Sequence, residues 1–287
     1  MTQTPEISVV IPAHNAAATI GVQLAALAEQ QTNHPFEVIV VDNRSSDDTA
    51  RIVAGFHDRL PGLRIADARA GEGAAYARNT GVQEATGELL LFCDADDEVH
   101  PGWVGAMGAA LQDADIVGGA IEVAKFNPPE VQSGYPNLAP QLQVGRHQLP
   151  FATGCSMGIR RAVFERLGGF DESSSPAEDQ DLSLRAQFAG CRLVFAPDAI
   201  VHYRLRSGIR AVARQHYHYG LSDARLFSRF PDVGPPLTVY GEARMVLGTL
   251  RRAPQFLDPM KRVRWMRKLS LHSGRLVGMR RLDRQGR

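Results

Sequence analysis

Cysteine is scarce in this 287-residue chain, which holds only Cys93, Cys155 and Cys191. Three scattered thiols exclude a disulfide framework and a cysteine-based zinc site. Cys93 and Cys191 adjoin apolar segments, where a thiol behaves as a small core residue rather than a nucleophile. No apolar run approaches the roughly 18 residues that a membrane-spanning helix needs, so no transmembrane helix is expected. The first residues, Met-Thr-Gln-Thr-Pro-Glu, lack the basic and apolar regions of a secretory signal, and a reducing cytoplasm is the expected compartment. Internal repeats and low-complexity tracts are missing too, which excludes a solenoid or a largely disordered chain.

What is present is ordinary globular composition, 44% hydrophobic and 22% charged, enough for a full core. The length suits one large domain, or one domain with an appendage. A formal net charge of +1 hides an asymmetry: residues 243–287 hold 13 Lys/Arg against Asp258 and Asp283. That segment is +11, leaving −10 on the rest, an acidic body with a basic tail.

Short unbroken apolar runs alternate with helical periodicity along the body. Ile7–Ile11, Val38–Val41, Leu63–Ile65 and Leu89–Phe92 read as strands, and the pattern loosens after Asp115–Val123. Ile20, Leu24 and Leu27 recur at helical spacing, and Ser45-Ser-Asp-Asp and Pro101 open further helices. The alternation predicts an α/β fold with a mainly parallel central sheet and helices on both faces. The segment from Phe126 to Pro150, with five prolines, reads as a surface excursion or lid. Leu193–Phe195 and Ala199–Val201 read as two late strands, and a helix is expected from about Gly208 to Phe230. Pro235-Pro236 marks a boundary, beyond which the chain is helical and basic.

The chemistry concentrates where the run Leu89–Phe92 ends in Asp94, Asp96 and Asp97. Carboxylates crowded at the end of a buried strand repel one another unless a cation compensates them. In an extended Asp-x-Asp segment, Asp94 and Asp96 point to the same side, a geometry suited to a hard divalent cation shared with phosphate oxygens. A solvated acidic turn is the plain alternative, and it is the better reading of that motif in isolation. Pro12 to Asn15, Asp42 to Ser45 and Asp94 to Asp97 all fall at strand ends on one edge of the sheet, the usual ligand crevice of open α/β folds. Asp42 suits a hydrogen bond to a nucleobase or ribose, but Asp42 and Ser45 also suit helix capping.

Ile-Ser-Val-Val-Ile-Pro-Ala-His-Asn, Val-Val-Asp-Asn-Arg-Ser-Ser-Asp, Ala-Arg-Asn-Thr-Gly, Leu-Phe-Cys-Asp-Ala-Asp-Asp, Gly-Gly-Phe-Asp-Glu and Ala-Glu-Asp-Gln-Asp-Leu occur in that order. The chain thereby resembles the inverting family-2 glycosyltransferases, with their nucleotide-sugar-binding GT-A fold, over about residues 6 to 205. The resemblance implies that Pro12, His14, Asn15, Asp42, Asn43 and Ser45 line the nucleotide pocket, that Arg78 faces the diphosphate, and that Asp94, Ala95 and Asp96 flank it. It implies Mg²⁺ or Mn²⁺ as cofactor, with Asp94, Asp96 and His202 as metal ligands; His202 reads equally well as an ordinary strand-end residue. Asp179 is the implied general base, supported by Glu178, although two acids at a helix start also simply complement its dipole. The helix dipole predicts that the Asp179 carboxyl is not strongly raised. Arg44, where the family often has Gly, departs from the pattern.

The expected layout is a glycosyltransferase domain over 1–232, with a nucleotide-binding half to about 120 and an acceptor-binding half over 121–232, followed by a basic helical extension over 233–287. Acceptor contacts are expected from Phe126–Pro150, Thr153-Gly154 and the helix carrying Arg214, His216, Tyr217, His218 and Tyr219, although that helix reads equally well as an amphipathic scaffold. In the tail, Met260, Val263, Met266 and Leu269 recur every three residues, with Trp265 beside them and basic residues between. That pattern fits peripheral binding of 259–287 to an anionic membrane at its inner face, and fits equally a helix packed on the body. The partners implied are a nucleoside-diphosphate sugar and a hydroxyl acceptor (a glycan, a lipid-linked intermediate or a small metabolite), with no nucleic acid. A non-catalytic nucleotide-sugar-binding or scaffold protein is the alternative. A nucleotidyltransferase is a weaker one, because Pro12-Ala-His-Asn-Ala lacks its Gly-rich basic loop.

Overall fold

The computed structural model describes residues 5–136, 138, 141–206 and 208–285. Residues 1–4 of the first domain, residues 137, 139 and 140 of the Pro-rich excursion and residues 286 and 287 of the basic extension lie outside them.

The strands are β1 (Ile7–Ala13), β2 (Phe36–Asp42), β3 (Leu63–Asp67), β4 (Leu89–Cys93), β5 (Glu98–Val99), β6 (Ile116–Glu122), β7 (Gln143–Val144), β8 (Pro150–Phe151), β9 (Ser156–Arg160) and β10 (Leu193–His202). The helices are α1 (Ile20–Ala28), α2 (Thr49–Ala54), α3 (Ala74–Glu84), α4 (Trp103–Ala110), α5 (Pro129–Gln132), α6 (Arg161–Arg166), α7 (Glu178–Phe188), α8 (Ile209–Arg229), α9 (Val239–Leu250) and α10 (Pro259–Gln285). Eight strands form one sheet in the order β3-β2-β1-β4-β9-β6-β10-β5. The ladders from β3 through β4 and between β6 and β10 are parallel; β9 and β5 run against their neighbours.

Strands β1, β2 and β4 are buried at nearly every position, because helices cover both faces and no alternation of polar residues is needed. On one face Val10, Ile39, Leu90, Phe92 and Met157 join residues of α3, α6 and α7, with Phe92 packed edgewise on Phe170 at 5.0 Å. Trp103, Met107 and Leu111 are fully buried, as their helical spacing predicts. At the end of α7, Phe188 is 57% exposed while Leu184 is buried. The two late strands are one: β10 continues from Leu193 to His202 with a register shift between Ala196 and Ile200, so Pro197-Asp198 is taken up as a bulge.

The chain forms two compact units. The first contains Met1–Glu122, Ala139–Gln143 and Pro150–Tyr203; the second contains Val123–Leu138, Val144–Leu149 and Arg204–Arg287. This division differs from the boundary expected at 232/233, and the reason is visible within the second unit. Helix α8 lies along α10 with their backbones almost touching: a Cβ at Gly220 would overlap the Leu271 carbonyl oxygen, and one at Gly274 would overlap that of Tyr217. Gly274→Ala should therefore cost about 1–3 kcal/mol of stability through overpacking. An unchanged melting temperature would show that these backbones are not so closely apposed.

The stretch expected as a surface excursion or lid is largely built into the second unit, where it carries α5 and buries Asn127, Val131, Tyr135 and His147. His216, offered above for acceptor contact, is buried there as well. Its Nδ1 lies 2.9 Å from the Val212 carbonyl and its Nε2 accepts from Arg267 at 2.8 Å. Burial, followed by the Arg267 charge, pushes its pKa down to about 4, so it is a neutral packing residue at physiological pH. In α10, Val263 is buried and the Trp265 indole N–H donates to the Thr249 carbonyl at 2.7 Å. Packing inside this unit thus engages two of the apolar residues that the periodicity singled out.

Candidate active site

All the carboxyl ends of β1, β2, β4, β6 and β10 emerge on one edge of the sheet, as the strand directions require. The amino end of the antiparallel β9 meets the same edge, with Ser156 paired to Cys93. Asp94, Asp96 and Asp97 follow β4 directly, and one ligand oxygen of each lies within 4.8 Å of the others. Asp97 is buried, and Asp94 and Asp96 are partly exposed. The loop is held from behind by Gln23 of α1, whose amide N–H donates to the Asp94 carbonyl at 3.0 Å and whose Oε1 accepts from Val99 N–H at 2.9 Å. Nothing in a lone glutamine on an otherwise apolar helix marks it for this task, and sequence reading missed it.

Arg78, from α3, ties this cluster to α7. Its guanidinium donates to Asp94 Oδ1 at 2.7 Å and to Glu178 Oε1 at 2.8 Å, and its side chain is only 4% exposed. Burial works against the charge, but Asp94, Glu178 and Asp179 outweigh it and hold the guanidinium above its ordinary range. Sequence reading placed Arg78 facing a diphosphate; in this structure both terminal nitrogens engage the protein's own carboxylates. Gly154 makes room for it, since a Cβ there would come within 2.8 Å of the guanidinium.

Asp179 sits at the first turn of α7, its Oδ2 accepting from Gly154 N–H at 3.0 Å and its Oδ1 from Gln180 N–H at 2.8 Å. A helix start alone would leave this carboxyl without a strong upward shift, but its surroundings override the dipole. Burial first, then the negative charge of adjacent Glu178, push the Asp179 carboxyl up to about 7, against the opposing pull of the two N–H groups and Arg78. A helix dipole contributes tenths of a kcal/mol at an open terminus, whereas desolvation beside a like charge contributes several times that. Cys93 and Cys155, close to the same carboxylates, have thiols pushed well above their ordinary range by burial, which removes them as nucleophiles.

On the other side of the edge, His14 Nδ1 lies 2.7 Å from the Asn43 carbonyl, and Asn15 N–H donates to Ser45 Oγ at 3.0 Å. Asp42 is buried and accepts from Ser45 N–H at 3.1 Å, a turn contact; helix α2 begins only at Thr49 with Asp48 at its N-cap, so neither Asp42 nor Ser45 caps it. Asn43 is fully engaged in loop structure, donating to the Ala68 and Gly71 carbonyls and accepting from Gly73 N–H. Pro12 lies inside β1 in register with Val41, so that strand runs one residue past the proline. Arg44 takes the left-handed backbone (φ 64°) that a glycine favours, and its Nε donates to the Arg69 carbonyl at 2.9 Å. Arg44 thus occupies a backbone conformation that is also open to glycine.

His202 ends β10 opposite Glu98 and its Nδ1 lies 2.8 Å from Glu122 Oε2. It shares the edge with the aspartates, but it is not part of the three-carboxylate group.

A largely parallel sheet with an oxygen-rich acidic cluster past its central strand, bridged by an arginine to a second acidic pair, defines a GT-A-type glycosyltransferase frame. Comparison with known proteins agrees. The model described as "Glycosyl transferase family 2" matches residues 8–168, and that described as "Glycosyl transferase family group 2" matches residues 137–271. The chain belongs to glycosyl transferase family 2. It is 31% identical over 207 residues to Glycosyltransferase AglE of Haloferax volcanii, covering 70% of this chain and 67% of that protein. It is 29% identical over 254 residues to the Pre-mycofactocin glycosyltransferase of Mycobacterium tuberculosis, covering 84% and 51%. Probable glycosyltransferase YdaM of Bacillus subtilis is 30% identical over 216 residues, with 70% and 51% covered, so the chain spans about half the length of the last two relatives.

Among solved structures, the mannosyltransferase PcManGT from Pyrobaculum calidifontis in complex with GDP-Man and Mn²⁺ superposes with a TM-score of 0.62 at 23% identity, covering 95% of this chain and 74% of that one. S. aureus TarS 1-349 in complex with UDP-GlcNAc gives 0.55 at 19% identity, covering 98% and 92%. At these identities the likeness shows the shared fold.

Proposed function

We propose that the protein is an inverting, divalent-metal-dependent glycosyltransferase that moves a sugar from a nucleoside diphosphate to an acceptor hydroxyl. The observation that carries this reading is the buried Arg78 bridge, which sets the acidic cluster and the start of α7 in one site. The donor class draws support from the GDP-Man and UDP-GlcNAc named for the two structural relatives.

Asp94 and Asp96, with Asp97 beside them, offer a purely oxygen donor set, which fits Mg²⁺ or Mn²⁺. When bound there, such an ion supplies Lewis-acid stabilisation to the departing diphosphate. His202 lies on the same edge as a further candidate ligand. Buried Glu178 Oε2 has no hydrogen-bond partner among the described residues, as suits an acceptor contact beside the base. The nucleotide is assigned to the edge formed by Pro12, His14, Asn15, Asp42, Asn43 and Ser45, with Asp42 reading the base. Ala95 flanks the diphosphate between Asp94 and Asp96. Arg78 orders the carboxylates on both sides of the reacting centre.

Asp179 serves as general base. With its carboxyl at about 7, it is a stronger proton acceptor than an ordinary aspartate and is still substantially ionised at neutral pH. It takes the acceptor hydroxyl proton as that oxygen attacks the anomeric carbon from the face opposite the leaving group. The acceptor is a glycan, a lipid-linked intermediate or a small metabolite. The charge of the basic extension supports attachment of 259–287 to an anionic membrane surface.

The test is nucleoside-diphosphate release from a panel of UDP-, GDP- and dTDP-sugars with Mn²⁺ or Mg²⁺, with and without a crude acceptor extract. One donor should be turned over, with release lost on chelation and in Asp96→Ala. Release that persists unchanged under chelation would overturn the metal-dependent reading. An absence of both binding and release across the panel would overturn the donor class.

A further inference from the structure

Helix α9 is inside out. Its buried face is polar: Glu242 is 1% exposed, accepts from Arg146 at 2.8 Å and is paired with His272, and Thr249 is buried seven residues on. Its outward face is apolar, with Val239, Ala243, Leu247 and Leu250 at helical spacing along one exposed stripe and Tyr240 beside it. Eleven large apolar side chains are exposed among the described residues, and seven of them fall between Val239 and Met260. Such concentration in 22 residues marks a surface made to be covered rather than scattered exposure.

We infer that this face of α9, with Leu257 and Met260 just beyond it, docks on an anionic lipid bilayer. The charge around the stripe decides the occupant. Arg244 and Arg251, seven residues apart, share a side of the helix next to it, and Arg252, Lys261, Arg264 and Lys268 are exposed in the segment that follows. Over the same span Glu242 is buried and Asp258 is bonded to Lys261 at 2.8 Å. Apolar anchors with exposed cations around them are what the boundary between headgroups and acyl chains accommodates. A second copy fits poorly, because a two-fold contact through this stripe brings the same arginines together from both sides. Nucleic acid would match the cations and leave the apolar stripe without a role.

This inference rests on the proposed membrane attachment of the basic extension and moves its apolar contact from α10 to α9. Two of the anchors expected on α10, Val263 and Trp265, are engaged inside their own unit, whereas those of α9 face outward.

The test is flotation of the full chain with phosphatidylcholine vesicles, plain or containing phosphatidylglycerol. Three variants are compared: Leu247→Ser/Leu250→Ser, Arg251→Ser/Arg252→Ser, and Arg280→Ser/Arg281→Ser farther along α10. The altered side chains are exposed, so each variant should keep the parent circular-dichroism melt. The parent chain should float with the anionic vesicles only. The leucine pair should lose about tenfold or more of that binding, and the Arg251/Arg252 pair about fivefold for each charge removed. If binding survives loss of the leucines but fails in Arg280→Ser/Arg281→Ser, the inference falls and attachment through α10 stands. No flotation of the parent overturns both. A concentration-dependent dimer that disappears in the leucine pair, without flotation, assigns the stripe to a second copy and overturns the bilayer.

Discussion

Asp179→Asn should abolish sugar transfer while making the folded protein more stable above neutral pH. Removal of a positioned general base lowers turnover by about 10²–10⁴-fold. The stability effect follows from the same environment. With a folded pKa of about 7 against an ordinary 3.8, Asp179 keeps its proton in the folded chain where the unfolded chain has already lost it. The parent therefore loses stability as pH rises from about 4 to about 7, and the deficit is constant above that. Asparagine carries no charge and retains one acceptor for Gly154 N–H. Because the Asp179 side chain keeps some contact with water, the gain at pH 8 should be modest, roughly 1–2 kcal/mol. It should vanish near pH 4. Denaturant unfolding at both pH values checks the stability, and donor turnover checks the chemistry. Parent turnover should rise through neutrality with a midpoint near 7. Transfer by the asparagine variant within tenfold of the parent would remove Asp179 as the base.

Arg78→Met carries the largest expected loss of stability. It leaves Glu178 buried without its cation and releases Asp94 towards Asp96 and Asp97. Breaking a buried pair from one side costs about 3–5 kcal/mol, far more than the pair contributes relative to an apolar replacement. The loss should depend on pH in the same sense as the loss of an ordinary salt bridge, being largest where the carboxylates are ionised. With the cation gone the buried negative charges stand uncompensated, so the deficit is greatest at high pH and shrinks as pH falls towards 4. Unfolding of Arg78→Met and Arg78→Lys at pH 5 and pH 8 tests this, with lysine recovering part of the loss. A methionine variant as stable as the parent at pH 8 would show that the bridge does not hold the site together.

Where a strand is covered on both faces, its sequence is an unbroken apolar run, and β1, β2 and β4 were legible for that reason. The ends of β2 and β4 were legible too, because an aspartate terminating such a run is conspicuous, whereas β1 runs on through Pro12 to Ala13. Strand β9 was not, since Ser-Met-Gly-Ile-Arg has little apolar content and gains its place from two neighbours far away in sequence. The second unit was hidden for a related reason. Pro235-Pro236 interrupts the chain, but the association of α8 with α10 depends on Gly220, Gly274 and Gly278, and a glycine in a helix does not announce what it approaches. At the site, residue types pointed to Asp94, Asp96 and Asp179. What the types do not contain is how deeply a group is buried, and that is what raises Asp179 and turns Arg78 inward.

The position of β9 bears on how the chain is born. It fills the gap between β4 and β6, so a nascent chain that has just completed β6 holds β4 paired on one edge only and β6 with neither of its neighbours, because β10 also comes later. At about 5–20 residues per second, the 38 residues from the end of β6 to the end of β9 occupy a ribosome for roughly two to eight seconds. Throughout that interval Leu89–Cys93 presents open hydrogen-bonding groups on a hydrophobic ribbon, the kind of template on which neighbouring nascent chains aggregate. The strand left open until β9 arrives is thus the very one that carries the acidic cluster at its end.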